Sequence, residues 1–405
     1  MIPPGWPFGR PGRDGPVNTG RIILAQLMDY ISRHEFNRCV GWYRGNHRTR
    51  DFSCWDQFLC MVFAQLTYRD SLRDIQTCLR SIRHKLYHAG FRGVMARNTL
   101  ANANRQRDWR IYADVAAMLI KRARELYADD GFGLELDQTV YAFDSTTIDL
   151  CMSLFPWAQF RRRKSAVKLH TLIDLCGNIP CFVHISTGKM ADVTSLDLVP
   201  IEPGSFYVMD RGYTDFGRLY RFTQGLAFFI IRAKKDLDFT RRTRHEVDKS
   251  TGLRSDNTIC LSGVKTRTLY PAPLRRVSYT DPDTGKRFVF LTNNFALPAL
   301  TIAQLYKCRW QVELFFKWIK GYLRIKSFYG TTINAVKTQV WIAMSVYVLV
   351  AIVKKELKIE RSLGEILQIL SIFLFEKMPL LQAFSLDPLL MKDNAMHNQL
   401  SLFDF

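Results

Sequence analysis

From Arg21 to about Ala128, apolar positions recur every three to four residues, the period of helices that bury one face. The pattern predicts helices over Ile22 to Arg33, Cys54 to Tyr68, Ser71 to Ser81, Asn98 to Asn104 and Trp109 to Leu126, with Gly41, Gly45, Gly90 and Gly93 in the loops between them. From about Leu134 the period switches to that of strands. Tyr141 to Asp149, Ala166 to Leu175 and Pro180 to Thr187 read as three successive strands, and Cys176-Gly177-Asn178 as the turn joining the last two. A helical stretch at Val193 to Val199 then leads to a further apolar run ending at Met209. Beyond it, Asp215 to Thr223 reads as a helix. Phe228 to Arg232, Thr258 to Leu261, Leu274 to Tyr279 and Phe288 to Thr292 read as strands, with an Asp283-Thr284-Gly285-Lys286 turn before the last. Helical periodicity returns at Thr301 and runs without Gly or Pro to Lys320, opened by a Thr301/Gln304 capping box. Ile333 to Leu357 and Ser362 to Phe375 predict two more helices. Helices, then strands, then helices make an α+β protein.

Composition narrows the partner. The chain has 405 residues, enough for two or three domains, and is 47% hydrophobic and 23% charged, as globular proteins are. Its net charge of +20 at pH 7 points to a polyanion. Basic proteins of membrane surfaces carry an amphipathic anchor or a lipidation motif, and neither is found here. The Pro- and Gly-rich start, Met1 to Arg13, lacks an apolar core of signal-peptide length. The apolar run Val340 to Val353 falls short of the roughly 20 residues that span a bilayer and reads as a core helix. Nine Cys, an odd number without a CxxC pair, suit reduced thiols in the cytosol. Cys176, Cys181 and His184 have the look of a partial zinc site, but they lack a fourth ligand and lie in strand-like sequence.

The chemistry concentrates on three short stretches. Asp144-Ser145-Thr146 and Asp210-Arg211-Gly212-Tyr213 each follow an apolar, strand-like run, which delivers an acid on a rigid element. On the helix from Thr301, at about 100° per residue, Tyr306, Arg309, Glu313, Lys317 and Lys320 fall within roughly 80° of one another. One helix face thus carries an acid, several cations and a phenol, a set suited to a metal-bound phosphate. Hard Mg²⁺ or Mn²⁺ ions take oxygen ligands, and Asp144, Asp210 and Glu313 together would supply them.

These residues resemble the DDE transposases of the bacterial IS-four insertion-sequence family. Tyr306-x2-Arg309-x3-Glu313-x6-Lys320 matches that family's Y-R-E-K signature at every spacing, both Asp motifs stand in the right order, and the likeness spans nearly the whole chain. The resemblance implies a ribonuclease H-like catalytic core, residues 131–215 and 298–330, interrupted by a β-rich insertion at 216–297. It also implies a helical N-terminal DNA-binding domain at 21–130 after a tail at 1–20, with C-terminal helices and a second tail at 331–405. It further implies an enzyme that binds the terminal inverted repeats of its element, cleaves phosphodiester bonds there and transfers the 3′ ends to target DNA. Asp144, Asp210 and Glu313 would be the catalytic acids and would hold two divalent ions about 4 Å apart. Tyr306, Arg309 and Lys320 would contact DNA phosphate, and Lys317 shares their face.

Other DNA contacts are expected from charge. Arg161-Arg162-Arg163-Lys164, followed by Lys168 and His170, reads as a hairpin loop, and Arg241-Arg242-Thr243-Arg244 as a second basic run. Each either tracks the DNA backbone or is a solvated face. In the N-terminal segment, Arg97, Asn98, Arg105 and Arg107 would reach base edges from one helix. Asp149 and Asp192 are extra acids without an assigned role. Double-stranded DNA is the expected partner, a homodimer on DNA the expected assembly, and the bacterial cytoplasm, at the nucleoid, the expected location. Two rival readings keep the same residues: an inactive or domesticated DNA-binding relative, and a nuclease that cuts without strand transfer.

Overall fold

The computed structural model describes residues 20–385 except Val94, Arg163, Arg324 and Lys326. The expected tails therefore lie almost wholly outside the described residues, as does Arg163 of the first basic run.

Among the described residues seven α-helices come first: α1 (Ile23–Met28), α2 (Arg33–Trp42), α3 (Cys54–Leu66), α4 (Leu72–Ser81), α5 (Arg83–Leu86), α6 (Arg97–Gln106) and α7 (Arg110–Tyr127). The helix expected over Ile22 to Arg33 ends at Met28, and α2, from Arg33 on, was not expected. Ser32 caps α2 by accepting from the Glu35 N–H, so the chain turns before it. A capping box at Ser53 and Asp56 opens α3, every residue of which is buried.

Ten strands of the described residues join in one sheet: β1 (Val140–Leu150), β2 (Gln159–Arg161), β3 (Lys164–Asp174), β4 (Ile179–Thr187), β5 (Phe206–Met209), β6 (Phe228–Arg232), β7 (Phe239–His245), β8 (Leu253–Leu261), β9 (Leu274–Thr280) and β10 (Arg287–Thr292). β4, β3 and β1 run antiparallel side by side, and β5 then β6 follow parallel to β1. This order and polarity are those of a ribonuclease H-like core, as expected. Gly177 (φ 72°) and Asn178 (φ 55°), the last two residues of the four-residue β3–β4 loop, are left-handed, a conformation that suits Gly and Asn.

Residues 216–297, expected as an insertion, do not form a sheet of their own. They supply helices α8 (Phe216–Gln224) and α9 (Val264–Leu269), and their first strand, β6, pairs with β5. β10, β9, β8 and β7 then extend the same sheet antiparallel beyond β6. Strand pairing between segments distant in sequence left no local mark that would show this. The basic run Arg241 to Arg244 lies in β7, at the outer edge of the sheet, and is exposed.

Parallel strands buried on both faces explain the apolar runs at β5 and β6. Val140, Ala142, Phe206, Val208 and Ile230 face one cluster with the C-terminal helices, while Tyr141, Phe143, Tyr207, Met209 and Phe229 face another with Leu219 and Phe222 of α8. The closing helices are α10 (Ala299–Cys308), α11 (Trp310–Tyr322), α12 (Ile333–Glu356), α13 (Leu363–Phe373) and α14 (Leu380–Ser385). Of these, α12 is long and apolar enough to cross a membrane, but 89% of its apolar window is buried inside the protein. It is the core helix expected from the sequence, and Tyr127 at the end of α7 donates to its Ala351 carbonyl at 2.8 Å.

Candidate active site

Strand pairing puts the first two acids side by side. β1 and β5 are parallel and pair Phe143 with Met209, so Asp144 and Asp210, the next residue on each, leave the sheet at the same level. Adjacent strands lie about 4.8 Å apart. Asp210 ends its strand as expected, but β1 continues to Leu150, so Asp144 sits in mid-strand. Antiparallel pairing with the long β3 holds β1 together past the point where β5 stops.

The third acid comes from a helix that is not continuous. Its first part, α10, starts at Ala299 behind Pro298 and has no side-chain cap, so the Thr301/Gln304 box does not form. At Arg309 the helix tightens: Arg309 N–H bonds to the Tyr306 carbonyl at 3.2 Å and Val312 N–H to the Arg309 carbonyl at 3.1 Å, both three residues back. From this joint Arg309 reaches two carboxylates at once, donating from Nη1 to Asp144 Oδ2 at 3.0 Å and from Nη2 to Glu313 Oε1 at 2.7 Å. Tyr306 donates its phenol to Asp210 Oδ1 at 3.0 Å. Lys320 donates to the Thr147 carbonyl of β1 at 3.1 Å. All four signature residues thus touch β1, β5 or each other. Lys317 is exposed on the same helix.

The electrostatics report how closely the acids crowd. Burial pushes the Asp144 carboxyl up to about 6; the Ser145 N–H and Arg309 pull it down, and Glu313 and Asp210 push it further up. Burial also works against the Arg309 charge, but Tyr306, Glu313 and Asp144 outweigh it and raise its pKa. Arg309 Nε is buried without a partner, so the guanidinium is incompletely satisfied where it sits. Among the described residues no three His, Cys, Asp or Glu side chains are gathered closely enough to hold an ion. Around Asp144 and Glu313 the guanidinium supplies the positive charge instead. Asp144, Asp210 and Glu313 are hard oxygen donors of the kind a divalent ion takes, but in this arrangement Arg309 bridges two of them and the three are not gathered around one point.

A raised carboxyl pKa has a stability cost with a definite sign. The unfolded Asp144 ionises near 3.8 and the folded one at about 6, so the folded chain holds more protons between those values. Stability therefore falls as pH rises through that window, by about 2–3 kcal/mol for this group alone. Asp144→Asn should be more stable than the wild type at about pH 7 by roughly 2 kcal/mol, with the advantage gone near pH 4. Urea denaturation at the two pH values checks this, and an advantage independent of pH would contradict it.

A polar cluster behind Asp144 was not foreseen. Ser145 Oγ donates to Asp192 Oδ1 at 2.7 Å, and Lys168 donates to the same oxygen at 3.1 Å. Ser145 N–H also bonds Asp144 Oδ1 at 2.8 Å, so one serine links the site acid to Asp192. Lys168 and His170, within the strand expected over Ala166 to Leu175, lie on β3 opposite Thr147 and Ser145. His170 is fully buried, and burial lowers its pKa to about 4, leaving it neutral near pH 7. The β1–β3 register and the helical turn after β4 that starts at Asp192 bring these residues together, and no spacing in the sequence encodes either. Asp149 is exposed and far along β1.

The remaining expected contacts disperse. Arg161 and Lys164 pair across the β2–β3 turn, with Arg162 exposed between them. That turn lies near the far end of β1, where Leu150 pairs with Ser165, roughly 20 Å along the strand from Asp144. Arg97, Asn98 and Arg105 are exposed on α6. Arg107 is not available to a ligand, because it donates to the Phe52 and Ser53 carbonyls and to Gln57. All nine cysteines are free thiols, and Cys181 donates to the Leu172 carbonyl within the sheet, so the zinc reading has no support here.

Comparison with known proteins identifies the family. The family described as "Transposase DDE domain" matches residues 135–349, and a domain of unknown function, DUF4372, matches residues 19–92. The y4zB protein of Sinorhizobium fredii, named as a transposase, is 33% identical over 257 residues, 62% of this chain and 70% of its own length. A protein of Geobacillus stearothermophilus, named as the transposase of insertion sequence element IS5377, is 30% identical over 223 residues, 53% of this chain and 57% of its own. One from Synechocystis, named for element IS4SA, is 22% identical over 84% of this chain and 95% of its own. Among solved structures, the piggyBac transposase synaptic complex with hairpin DNA covers 95% of this chain and 86% of its own at 9% identity, with a TM-score of 0.48. The family match spans more than half of the chain and takes in the strands and helices that carry Asp144, Asp210, Glu313 and the Y-R-E-K residues. The chain belongs to the DDE transposases of IS-four-type insertion sequences, and it is a DNA transposase.

Proposed function

We propose that the protein binds the terminal inverted repeats of its own element, cuts at both ends and joins the freed 3′ ends to target DNA. The observation that supports this most is the tie between three acids from distant parts of the chain, Asp144, Asp210 and Glu313, through Arg309 and Tyr306 of one helix. Water attacks the scissile phosphorus, the P–O3′ bond breaks and a 3′-hydroxyl is released. That hydroxyl then attacks a target phosphorus and expels a second 3′-oxygen, so one phosphodiester is exchanged for another without a covalent enzyme intermediate. Asp144, Asp210 and Glu313 would hold the divalent ions, Mg²⁺ or Mn²⁺ and two per site, once they draw together on DNA. When bound, such ions sharpen the attacking oxygen and neutralise charge on the leaving one.

The chain's own residues do the rest. Arg309, whose two Nη atoms are engaged by Asp144 and Glu313, has its Nε–H left to offer phosphate, and Lys320, lodged against β1, adds a point charge. Tyr306 keeps the Asp210 carboxylate aimed beside Asp144. Residues 131–215 and 298–330 form the catalytic unit, 216–297 an extension of it, and 21–130 the domain that selects the element's ends. Two ends require two sites, so the working assembly on DNA is a homodimer.

The test uses a duplex copied from the DNA flanking the gene, supplied with protein and Mg²⁺. Cleavage at the repeat boundary followed by joining to a plasmid supports the proposal. Cleavage without joined product would leave the nuclease reading. Binding without any metal-dependent cleavage would leave the DNA-binding relative.

A further inference from the structure

Far from the acids, two stretches without a single carboxylate meet along one cleft. No Asp or Glu occurs from Phe36 to Arg50, nor from Ile75 to Arg107. The loop after α2 and the exposed side of α6 enclose a cleft of about 960 Å³ lined by Arg44, His47, Arg48 and Arg50 on one side and Thr99, Asn102 and Gln106 on the other. We propose that this cleft is a duplex-DNA site, with the loop arginines on phosphate and the exposed α6 stripe on base edges in the major groove. It rests on the reading above that the chain acts on DNA ends, and it assigns their recognition to particular side chains.

The loop is built rather than slack. Arg44 and Arg48 hold left-handed backbone (φ 49° and 57°), a costly conformation for arginine that the surroundings must enforce. Gly45 lies so close to the helices that a Cβ there would meet Ile111 Cδ1 at 2.5 Å and Cys54 Sγ at 2.8 Å. Asn46 accepts from the Cys54 N–H at 2.7 Å, pinning the loop to the start of α3. Pinned in this way, the loop turns Arg44, Arg48 and Arg50 outward, and none of them has a side-chain partner among the described residues. Of the acids in the lining, Asp108 is already paired with Arg110 at 2.6 Å, which leaves Asp51 at the rim.

The α6 side is equally fixed. Asn104 is buried and accepts from Gln57 at 2.8 Å, and Asn334 of α12 donates to the Asn104 and Arg107 carbonyls at 2.9 and 2.6 Å. Outward from this anchor stand Asn98, Thr99, Asn102, Arg105 and Gln106, all exposed. Ten residues of helix make a rod roughly 15 Å long that a major groove about 12 Å wide accepts. Asn and Gln match adenine, and Arg matches guanine. A single strand would need bare aromatic faces inside the cleft, yet of the two aromatics lining it Tyr43 is tied to Asp114 at 2.8 Å and covered by Arg110, and Phe52 is covered by Arg107; the exposed Trp42 is not part of the lining. The duplex is the better fit.

The experiment uses the full chain with a duplex copied from the element's end and a scrambled duplex of equal length. Replacing Arg44, Arg48 and Arg50 together with Ala should weaken both duplexes by similar factors and flatten the salt slope by roughly 2–3. The pair Asn102→Ala and Gln106→Ala should cost the end duplex roughly 5- to 100-fold and leave the scrambled one unchanged. An unaltered salt slope in the triple variant, or full preference in the double one, overturns the assignment. So does tighter binding of single-stranded DNA or RNA of the same sequence. Circular dichroism melts confirm that each variant folds. Cleavage of the end duplex, scored in parallel, separates the two ideas: normal cleavage with unchanged preference sinks only the cleft, and wild-type binding without cleavage sinks only the active site.

Discussion

Glu313→Gln should lose end cleavage by at least roughly 10³-fold while binding the same DNA as tightly as the wild type, or slightly tighter. The substitution keeps shape and removes one negative charge. Glu313 is part-exposed and accepts from Arg309 at 2.7 Å, so an amide there still meets the guanidinium through its oxygen. What disappears is a charged oxygen donor facing Asp144. The change also relieves a repulsion: Glu313 is among the groups that push the Asp144 carboxyl up, so Asp144 should ionise more easily in the variant. Loss of activity with an unchanged fold would thus trace to the missing ligand and not to a damaged neighbour. Gel-shift titration beside a cleavage assay on one labelled end duplex separates the two effects. Equal cleavage by variant and wild type would remove Glu313 from the chemistry.

How much of this was legible in the sequence depends on the range of the interaction. Helices α3, α4, α6 and α7 and strands β1, β3, β4, β6 and β10 follow from local periodicity, and their ends agree to within a few residues. The acids were readable because each motif travels as a short string, and the string on α10 and α11 fixes the relative phase of Tyr306, Arg309, Glu313 and Lys320. Unreadable features were those created by pairing between distant segments. Nothing local in Arg241 to Arg244 announces an edge strand, because four polar residues in a strand exposed on both faces look like a loop. The Ser145–Asp192–Lys168 cluster depends on β1–β3 register in the same way. Arg107 misled because its charge resembles that of its exposed neighbours, whereas its partners are carbonyls that any sequence would supply. The joint at Arg309 was hidden for a related reason: helix propensity there is unbroken, and the residue at the joint is the one that reaches Asp144 on the sheet.

That joint leads to the second large effect. Arg309→Ala should abolish cleavage by a similar factor and yet bind Mn²⁺ more tightly than the wild type when no DNA is present. The guanidinium now bridges Asp144 at 3.0 Å and Glu313 at 2.7 Å, so any cation taking those oxygens must compete with it. Two unit charges about 4 Å apart at an effective dielectric of 20 interact by about 4 kcal/mol, and even a third of that is tenfold in affinity. Removing Arg309 also removes a charge that holds the Asp144 pKa down, so Asp144 would take up protons more readily, and titrations belong near pH 8, where it stays ionised. DNA offers Arg309 another anion. Its unpaired Nε shows that the carboxylates do not satisfy all of its donors, and a phosphate would complete them. In the wild type, end DNA should therefore tighten Mn²⁺ binding, and by linkage Mn²⁺ should tighten DNA binding by the same factor. In the alanine variant that coupling should shrink toward none. Electron paramagnetic resonance of free Mn²⁺, with and without an end duplex, measures all four affinities. If the variant binds Mn²⁺ no better than the wild type without DNA, Arg309 does not guard the carboxylates, and its loss of activity reflects phosphate contact alone.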